Sequence, residues 1–371
     1  MNYEHIRGGK LMEKVSISAG KIRGLRALAD ENGRFKMMAI DQRGSLKRML
    51  AKVLSKEADE VKYQDLAEFK TIIIKVLSPY SSATLVDPIY GYPNAIKYFS
   101  KGTGLLLCSE ETGGEKAGKS GKEIKSSLIS GWTVEKTKRT GANAVKLLIY
   151  YRGDASPDVV NHQKEVTREV GRDCRQYDLP FVLELVNYPF LPDEEKDNAT
   201  FARRKPKIVH DYVKEFSRSE YGVDILKVEF PANLKFAKEY CQGEFDGVKR
   251  EALYNLSEIK DFCGEVTALA GVPWVILSAG VDIDEFVENV RIATESGASG
   301  FLGGRAIWQG SAQYYPDKEA MEEWLSTSGV SNFKRLLQVF QAATPYFEHK
   351  RFKGYPEICL EKKGADWYKQ Y

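Results

Sequence analysis

Asp224-Ile225-Leu226-Lys227-Val228-Glu229-Phe230 reads as a buried parallel strand that carries a charge in its middle. Side chains alternate between the two faces of a strand, so Leu226 and Val228 share one face, and Ile225, Lys227 and Glu229 the other. An ammonium in such a place is costly unless it is paired or neutralised. Desolvation and a neighbouring cation both lower a lysine pKa, which turns the side chain into an amine nucleophile. A lysine at a strand end whose head reaches water is the plainer alternative. The other strands decide between the two.

Seven more strand candidates recur along the chain: 36–41, 82–87, 104–108, 142–150, 180–186, 273–278 and 299–303. Amphipathic stretches separate most of them. Tyr63 to Leu77 carries Leu66, Phe69, Ile73 and Ile74 on one stripe, and Val159 to Cys174 is a second helix. Asp282 to Ser296 opens with acidic residues and is closed by Gly297. The link between the second and third strands is too irregular for a full helix. Eight β-then-α units at this length predict a closed (β/α)₈ TIM barrel in a single domain. An open doubly wound sheet lacks its signature, because no Gly-x-Gly-x-x-Gly follows the first strand. The barrel core is expected over about 35–313. A helix at Ala19 to Asp30 is expected to cover the barrel floor. An extended helical C-terminus runs over about 314–371, ending in a Lys- and Tyr-rich tail from Phe352. That tail reads as flexible, or as a contact for a second copy in a homo-oligomer.

Composition narrows the class. The 55 lysines and arginines nearly balance the 52 aspartates and glutamates, so nothing calls for nucleic acid or an anionic membrane. No apolar run suits a signal peptide or a bilayer span. The five cysteines, Cys108, Cys174, Cys241, Cys263 and Cys359, form no Cys-x-x-Cys pair. A soluble, cytoplasmic protein is the expectation.

Applied to each strand, the alternation leaves one polar residue on the inner face. Ala39 and Asp41 oppose Met38 and Ile40; Ala144, Lys146 and Leu148 oppose Val145, Leu147 and Ile149; Val182, Glu184 and Val186 oppose Leu183 and Leu185. The large aliphatics suit the helix-packed outer layer. Asp41, Lys146, Glu184 and Lys227 are therefore expected to point into the barrel near its C-terminal face, where active sites of this fold lie. An internal ion-pair network that merely balances charge is the structural alternative. Buried charges seldom improve on apolar packing, so four of them in one core favour function.

Imine formation fits these groups. An amine attacks a ketone, a carboxyl group shuttles protons, and the iminium serves as electron sink for breaking a carbon–carbon bond. Lys146 nearby would disfavour a second positive charge on Lys227. No metal and no cofactor is expected. The four histidines, His5, His162, His210 and His349, have no ligand spacing and lie at no strand end.

A second constellation follows strands seven and eight: Leu277-Ser278-Ala279-Gly280-Val281 and Phe301-Leu302-Gly303-Gly304-Arg305. Glycines there let backbone N–H groups approach an anion, and Arg305 adds a bidentate charge, so a sugar phosphate is the expected partner. A third, Asp41-Gln42-Arg43-Gly44-Ser45-Leu46-Lys47-Arg48, follows strand one. Gln42 and Arg43 are candidates for holding a second anionic group. Lys47 and Arg48 read as a solvated basic face.

These stretches, with Gly141-Ala142-Asn143-Ala144-Val145-Lys146-Leu147-Leu148-Ile149-Tyr150-Tyr151, Leu183-Glu184 and Gly304-Arg305-Ala306-Ile307-Trp308, run in order from about Arg34 to Trp308. The sequence resembles the tagatose 1,6-bisphosphate aldolase family of class I, imine-forming (β/α)₈ aldolases. The resemblance implies Lys227 as the imine lysine and Glu184 as the proton-transfer residue. It implies Asp41 and Lys146 as their partners, and Ser278, Gly280, Gly303, Gly304 and Arg305 around the ketose 1-phosphate. Residues 273–278 and 297–302 are also similar to sulfofructose 1-phosphate aldolases, although the Asp41 loop follows the tagatose-type pattern.

The reaction expected is cleavage of a ketohexose 1,6-bisphosphate, D-tagatose 1,6-bisphosphate first among them, to dihydroxyacetone phosphate and glyceraldehyde 3-phosphate. Cleavage of sulfofructose 1-phosphate is the alternative within the same class. A phosphosugar isomerase or epimerase using Glu184 as base would leave an inward Lys227 beside Lys146 unexplained. A sensor that binds the sugar phosphate without turnover would share these residues, and a turnover assay separates it.

Overall fold

The computed structural model describes residues 15–118, 121–354 and 358–369. His5, the opening segment and parts of the C-terminal tail lie outside the described residues. Eight parallel strands close into a barrel: β1 (Phe35–Ile40), β2 (Ala83–Val86), β3 (Gly104–Cys108), β4 (Ala144–Tyr150), β5 (Phe181–Val186), β6 (Ile225–Val228), β7 (Trp274–Leu277) and β8 (Gly300–Gly303). They follow one another in chain order around the barrel, and β8 pairs with β1 to close it. The closure is tight. Gly300 has φ 141°, and a Cβ there would sit 1.9 Å from the Phe35 carbonyl oxygen, so no larger residue fits.

The alternation read from the sequence separates two apolar layers. Met38, Ile40, Val145, Leu147, Leu226 and Val228 pack outward against helices. Met37, Ala39, Ala144, Val182 and Ile225 meet inside the barrel. Each of the larger ones, fully buried, stabilises the fold by about 1.5–3 kcal/mol. The outer layer is closed by α3 (Tyr63–Leu77), α4 (Pro157–Gln176), α5 (Ala199–Phe216), α6 (Leu256–Leu269) and α7 (Ile283–Glu295), with α2 (Gly44–Leu54) after β1. Asp282 caps α7 by accepting the Glu285 N–H at 2.8 Å, one residue inside the predicted start. The β2–β3 link holds only a short helix, Tyr92–Ala95, and a single 3₁₀ turn.

The floor is plugged by both flanks of the barrel. Leu25 and Leu28 of α1 (Ala19–Leu28) join Phe35, Tyr346 and Phe352 in the inner cluster, and the Phe35 and Tyr346 rings stack at 5.6 Å. A short strand, Val15–Ile17, pairs in parallel with Ile358–Leu360 of the tail. After β8, α8 (Arg305–Trp308), α9 (Lys318–Trp324) and α10 (Val330–Val339) extend the helical layer. No helix among the described residues is long and apolar enough to cross a membrane.

Candidate active site

Register sets the central pair. Glu184 on β5 lies directly beside Lys227 on β6, and β4 brings Lys146 next to Val182, two residues below Glu184. Because all three side chains face inward, their heads converge at the barrel mouth. The Lys227 Nζ stands 2.9 Å and the Lys146 Nζ 2.8 Å from the same oxygen, Glu184 Oε2. Neither contact has hydrogen-bonding angles, so Glu184 Oε2 is held by two charges without a directed bond.

Lys146 is the better anchored amine. Its Nζ donates to Asp41 Oδ2 at 2.8 Å and to Glu110 Oε1 at 2.6 Å. Burial alone would lower its pKa, but Asp41, Glu110 and Glu184 outweigh burial and hold it well above the ordinary lysine value. Lys146 is thus a permanent cation. Burial would likewise raise Asp41 and Glu184, and in each the ammonium groups of Lys146 and Lys227 prevail and push the pKa down. In Glu110 burial wins and the pKa rises.

Glu110 was missed in the strand-by-strand reading. It lies two residues past Cys108, the last residue of β3, and continuing the alternation by one step would have found it. Its Oε2 also accepts the Leu148 N–H at 3.0 Å, which fixes it against β4. Three carboxylates therefore face two ammonium groups, where the sequence suggested two and two. Asp41, Cys108 and Glu110 bring potential metal-ligand atoms within 4.8 Å of one another. The Lys146 ammonium already bonds both of those carboxylates, so their charge is met by an organic cation. Burial pushes the Cys108 thiol up, which keeps it protonated.

Asp41 owes its place to supports beneath it. The Trp308 indole donates to the Ala39 carbonyl at 2.9 Å, and Lys70 Nζ donates to the Ile40 carbonyl at 2.8 Å. Lys70 is itself paired with the fully buried Asp87.

The second constellation forms beside this cluster. Gly304 N–H points to Ser278 Oγ at 3.5 Å, which ties the loops after β7 and β8 together. Gly280 has φ 81°, and a Cβ there would sit 2.7 Å from Arg305 Nη2. Glycine thus lets the loop pass under the guanidinium. Arg305 has no hydrogen-bond or ion-pair partner among the described residues, and burial lowers its pKa. A Cβ on Gly304 would come within 3.0 Å of Gln42 Nε2, and Gln42 Oε1 is buried without a partner.

Two expectations need correction. Gly303 does not line the cavity: it packs outward, where a Cβ would meet the Phe286 ring at 2.7 Å. Arg43 does line it, but both terminal nitrogens of its guanidinium are committed. It donates to the Glu110 carbonyl and, at 3.2 Å, to Glu111 Oε1, so it braces the loop after β3 and is not left free for an anion. Arg48, read as solvated, reaches the cavity rim.

The cavity measures about 630 Å³ and is lined by Asp41, Lys146, Glu184, Lys227, Ser278, Gly280 and Arg305 among others. A lysine pair around a shared carboxylate, next to an unpaired arginine at the C-terminal mouth of a closed barrel, defines an aldolase-type (β/α)₈ enzyme. Residues 35–310 match the DeoC/LacD family aldolase. The tagatose 1,6-diphosphate aldolase 2 of Enterococcus faecalis is 36% identical over 344 residues, covering 91% of this chain and 98% of that protein. The tagatose 1,6-diphosphate aldolase of Staphylococcus aureus is 35% identical over 343 residues, covering 91% and 100%. The chain belongs to the DeoC/LacD aldolase family and is a carbon–carbon lyase. Solved structures agree on the fold. Fructose-bisphosphate aldolase from Plasmodium falciparum superposes with TM-score 0.58 at 13% identity, covering 96% of this chain and 100% of that one. An archaeal fructose-1,6-bisphosphate aldolase gives 0.52 at 17%, covering 86% and 98%.

Proposed function

We propose that this enzyme cleaves D-tagatose 1,6-bisphosphate through an imine on Lys227, giving dihydroxyacetone phosphate and glyceraldehyde 3-phosphate. The observation that carries the reading is the sharing of Glu184 Oε2 between Lys227 and Lys146. It supplies a nucleophilic amine, a proton acceptor in contact with it, and a fixed cation that keeps the acceptor ionised.

Lys227 loses a proton to Glu184 and attacks the C2 carbonyl carbon. Glu184 returns a proton to the carbinolamine oxygen, which leaves as water, and the protonated imine remains. Glu184, again a carboxylate, takes the proton of the C4 hydroxyl as the C3–C4 bond breaks. The bonding electrons move onto C3 and into the imine, giving an enamine and releasing the aldehyde. Protonation at C3 and hydrolysis of the imine return Lys227 and release the ketone. Asp41, kept ionised, is set to accept hydrogen bonds from substrate hydroxyls. The Lys146 ammonium limits the spread of negative charge among three carboxylates. Ser278, the Gly280 and Gly304 backbones and Arg305 receive the 1-phosphate, and Gln42 stands beside them.

The substrate follows from the relatives named above and from an inner wall with cations for a charged sugar. Borohydride added with D-tagatose 1,6-bisphosphate tests the reading. A stable adduct on a peptide containing Lys227, lost in Lys227→Met, is the expected result. Loss of activity with a chelator and no adduct would overturn it.

A further inference from the structure

Lys205 on α5, which has no ion-pair partner among the described residues, and the Glu285 carboxyl, which burial pushes up to about 7, line the large cavity and belong to the site already described. A second cavity, of about 410 Å³, lies at the other end of the barrel. It is bounded by the strand Val15–Ile17, the head of α1, the last turn of α4, the 3₁₀ turn Ser219–Tyr221 and the residues that lead into β6 and β7. The aldol chemistry at the mouth uses nothing in it.

This floor cavity sets Lys21, Arg175, Arg218 and Arg351 against two carboxylates, Asp224 and Glu361. Asp224 is already met. Lys21 donates to its Oδ2 at 2.7 Å, and Arg351 stands 3.7 Å from its Oδ1. That Oδ1 is buried and accepts no hydrogen bond. Arg218 reaches only Glu215, at 3.5 Å, an acid that Lys164 holds at 3.0 Å. Arg175 has no hydrogen-bond or ion-pair partner among the described residues. Ser18 Oγ, at the head of α1, is buried without a partner and caps no N–H. Glu361 is exposed on the rim and forms no ion pair with any of the four cations.

The manner in which Arg175 is held points to a ligand. Gly222 has φ 65°, and a Cβ there would collide with Arg175 Nη1, so the guanidinium rests against the bare backbone of the turn. Gly280 and Arg305 make the same arrangement at the mouth: a left-handed glycine beneath an arginine without a partner. An open guanidinium, with two more arginines and a free hydroxyl on the same cavity, suits a tetrahedral oxyanion, which accepts hydrogen bonds from several directions at once. Asp224 Oδ1 remains to accept from a hydroxyl on the same ligand.

We propose that the floor cavity is a second phosphate site, in which Arg175, with Arg218 and Arg351, takes the phosphate group of a small molecule. It lies beyond the opposite end of β6 from Lys227. The likeness to the mouth rests on the proposed function; the cavity and its charges do not.

Calorimetric titration of the full-length enzyme tests it, with inorganic phosphate and with glycerol 3-phosphate, which has no carbonyl to form an imine. Arg175→Met is expected to weaken one binding event by about 10-fold or more, the worth of a charge-assisted hydrogen bond, and Arg218→Met to weaken the same event less. Arg175→Lys should recover part of the loss. Glu361→Gln should tighten the event, because an acid on the rim repels the ligand. Arg305→Met should leave this event in place. Hydrogen exchange locates it: phosphate should protect the amides of 217–224 in wild type and not in Arg175→Met. Phosphate binding unchanged in Arg175→Met overturns the proposal, and so does weaker binding in Glu361→Gln, which would mark a site for a cation. The two ligands fix the source. Tighter binding of glycerol 3-phosphate assigns the cavity to a phosphate ester, and tighter binding of inorganic phosphate to the free ion. A borohydride adduct on Lys227 with no floor event defeats the floor site alone, and a floor event with no adduct defeats the aldolase reading alone. Arg175 and Arg218 are both exposed, so their variants are expected to melt as wild type does without ligand.

Discussion

The two ends of β6 carry the same kinds of charge to opposite purpose. At the floor, Asp224 takes the Lys21 ammonium at 2.7 Å and the Phe181 N–H at 2.9 Å on one oxygen, with Arg351 3.7 Å from the other. One carboxylate there faces two cations. At the mouth, one ammonium serves three carboxylates, and one of those carboxylates is shared with Lys227. The floor pair holds α1 against the barrel, and its second carboxylate oxygen faces Arg351 without a hydrogen bond. The central cluster at the mouth has three carboxylates to two amines, and one amine whose only ion-pair partner, among the described residues, is also claimed by the other. Burial of charge is therefore not itself the mark of a site. Two amines meeting at one carboxylate oxygen on the wall of the large cavity are.

The sharpest way to break this contrast is Lys227→Met. It should lower kcat by about 10⁴-fold or more, since the covalent route is lost, and abolish the borohydride adduct while melting changes little. A variant that retained the adduct would move the nucleophile elsewhere. Next comes Glu184→Gln, which keeps the shape but cannot take protons. A fall of about 10²- to 10⁴-fold in kcat is expected in steady-state assays. Activity within a few-fold of wild type would reduce Glu184 to a charge-balancing role.

At the floor the loss should appear in stability. Lys21→Met leaves Asp224 without its nearest cation and should cost about 3–5 kcal/mol in urea unfolding, with kcat of the folded fraction retained. If kcat fell instead and stability held, the floor and mouth would not differ as argued.

The smallest effect is a pH slope. Glu285 is raised to about 7 in the folded protein from an ordinary value near 4.5. The folded state therefore binds more protons than the unfolded one between those values. Stability from this group is full below about pH 4.5 and is lost as pH rises through about 7, amounting to about 3 kcal/mol at most. Glu285→Gln should flatten that part of the stability profile in denaturant titrations. An unchanged slope would assign it to another group.

Much of the fold was legible because its signal is local. Runs such as Val145-Lys146-Leu147 and Leu226-Lys227-Val228 state by their period which side chain faces inward, and a parallel barrel needs only that and the count of strands. The same rule led to Asp41, Lys146, Glu184 and Lys227. It stopped short at Glu110, because the strand assignment ended at Cys108 while the alternation ran on. Gly303 shows the opposite limit. Glycine before glycine looks like an anion loop, but its missing side chain makes room for Phe286.

By itself, then, the sequence determined the eight-strand barrel, the inward row of charges and the family to which the chain belongs, since each depends on neighbours in the chain. Only the tertiary structure decided which charges meet. Whether Arg43 braces a loop or stays free, whether Lys205 is paired, and how many acids surround Lys146 depend on contacts between residues tens to hundreds of positions apart. Electrostatic energies vary steeply with distance and burial, and neither quantity is written in the order of the residues.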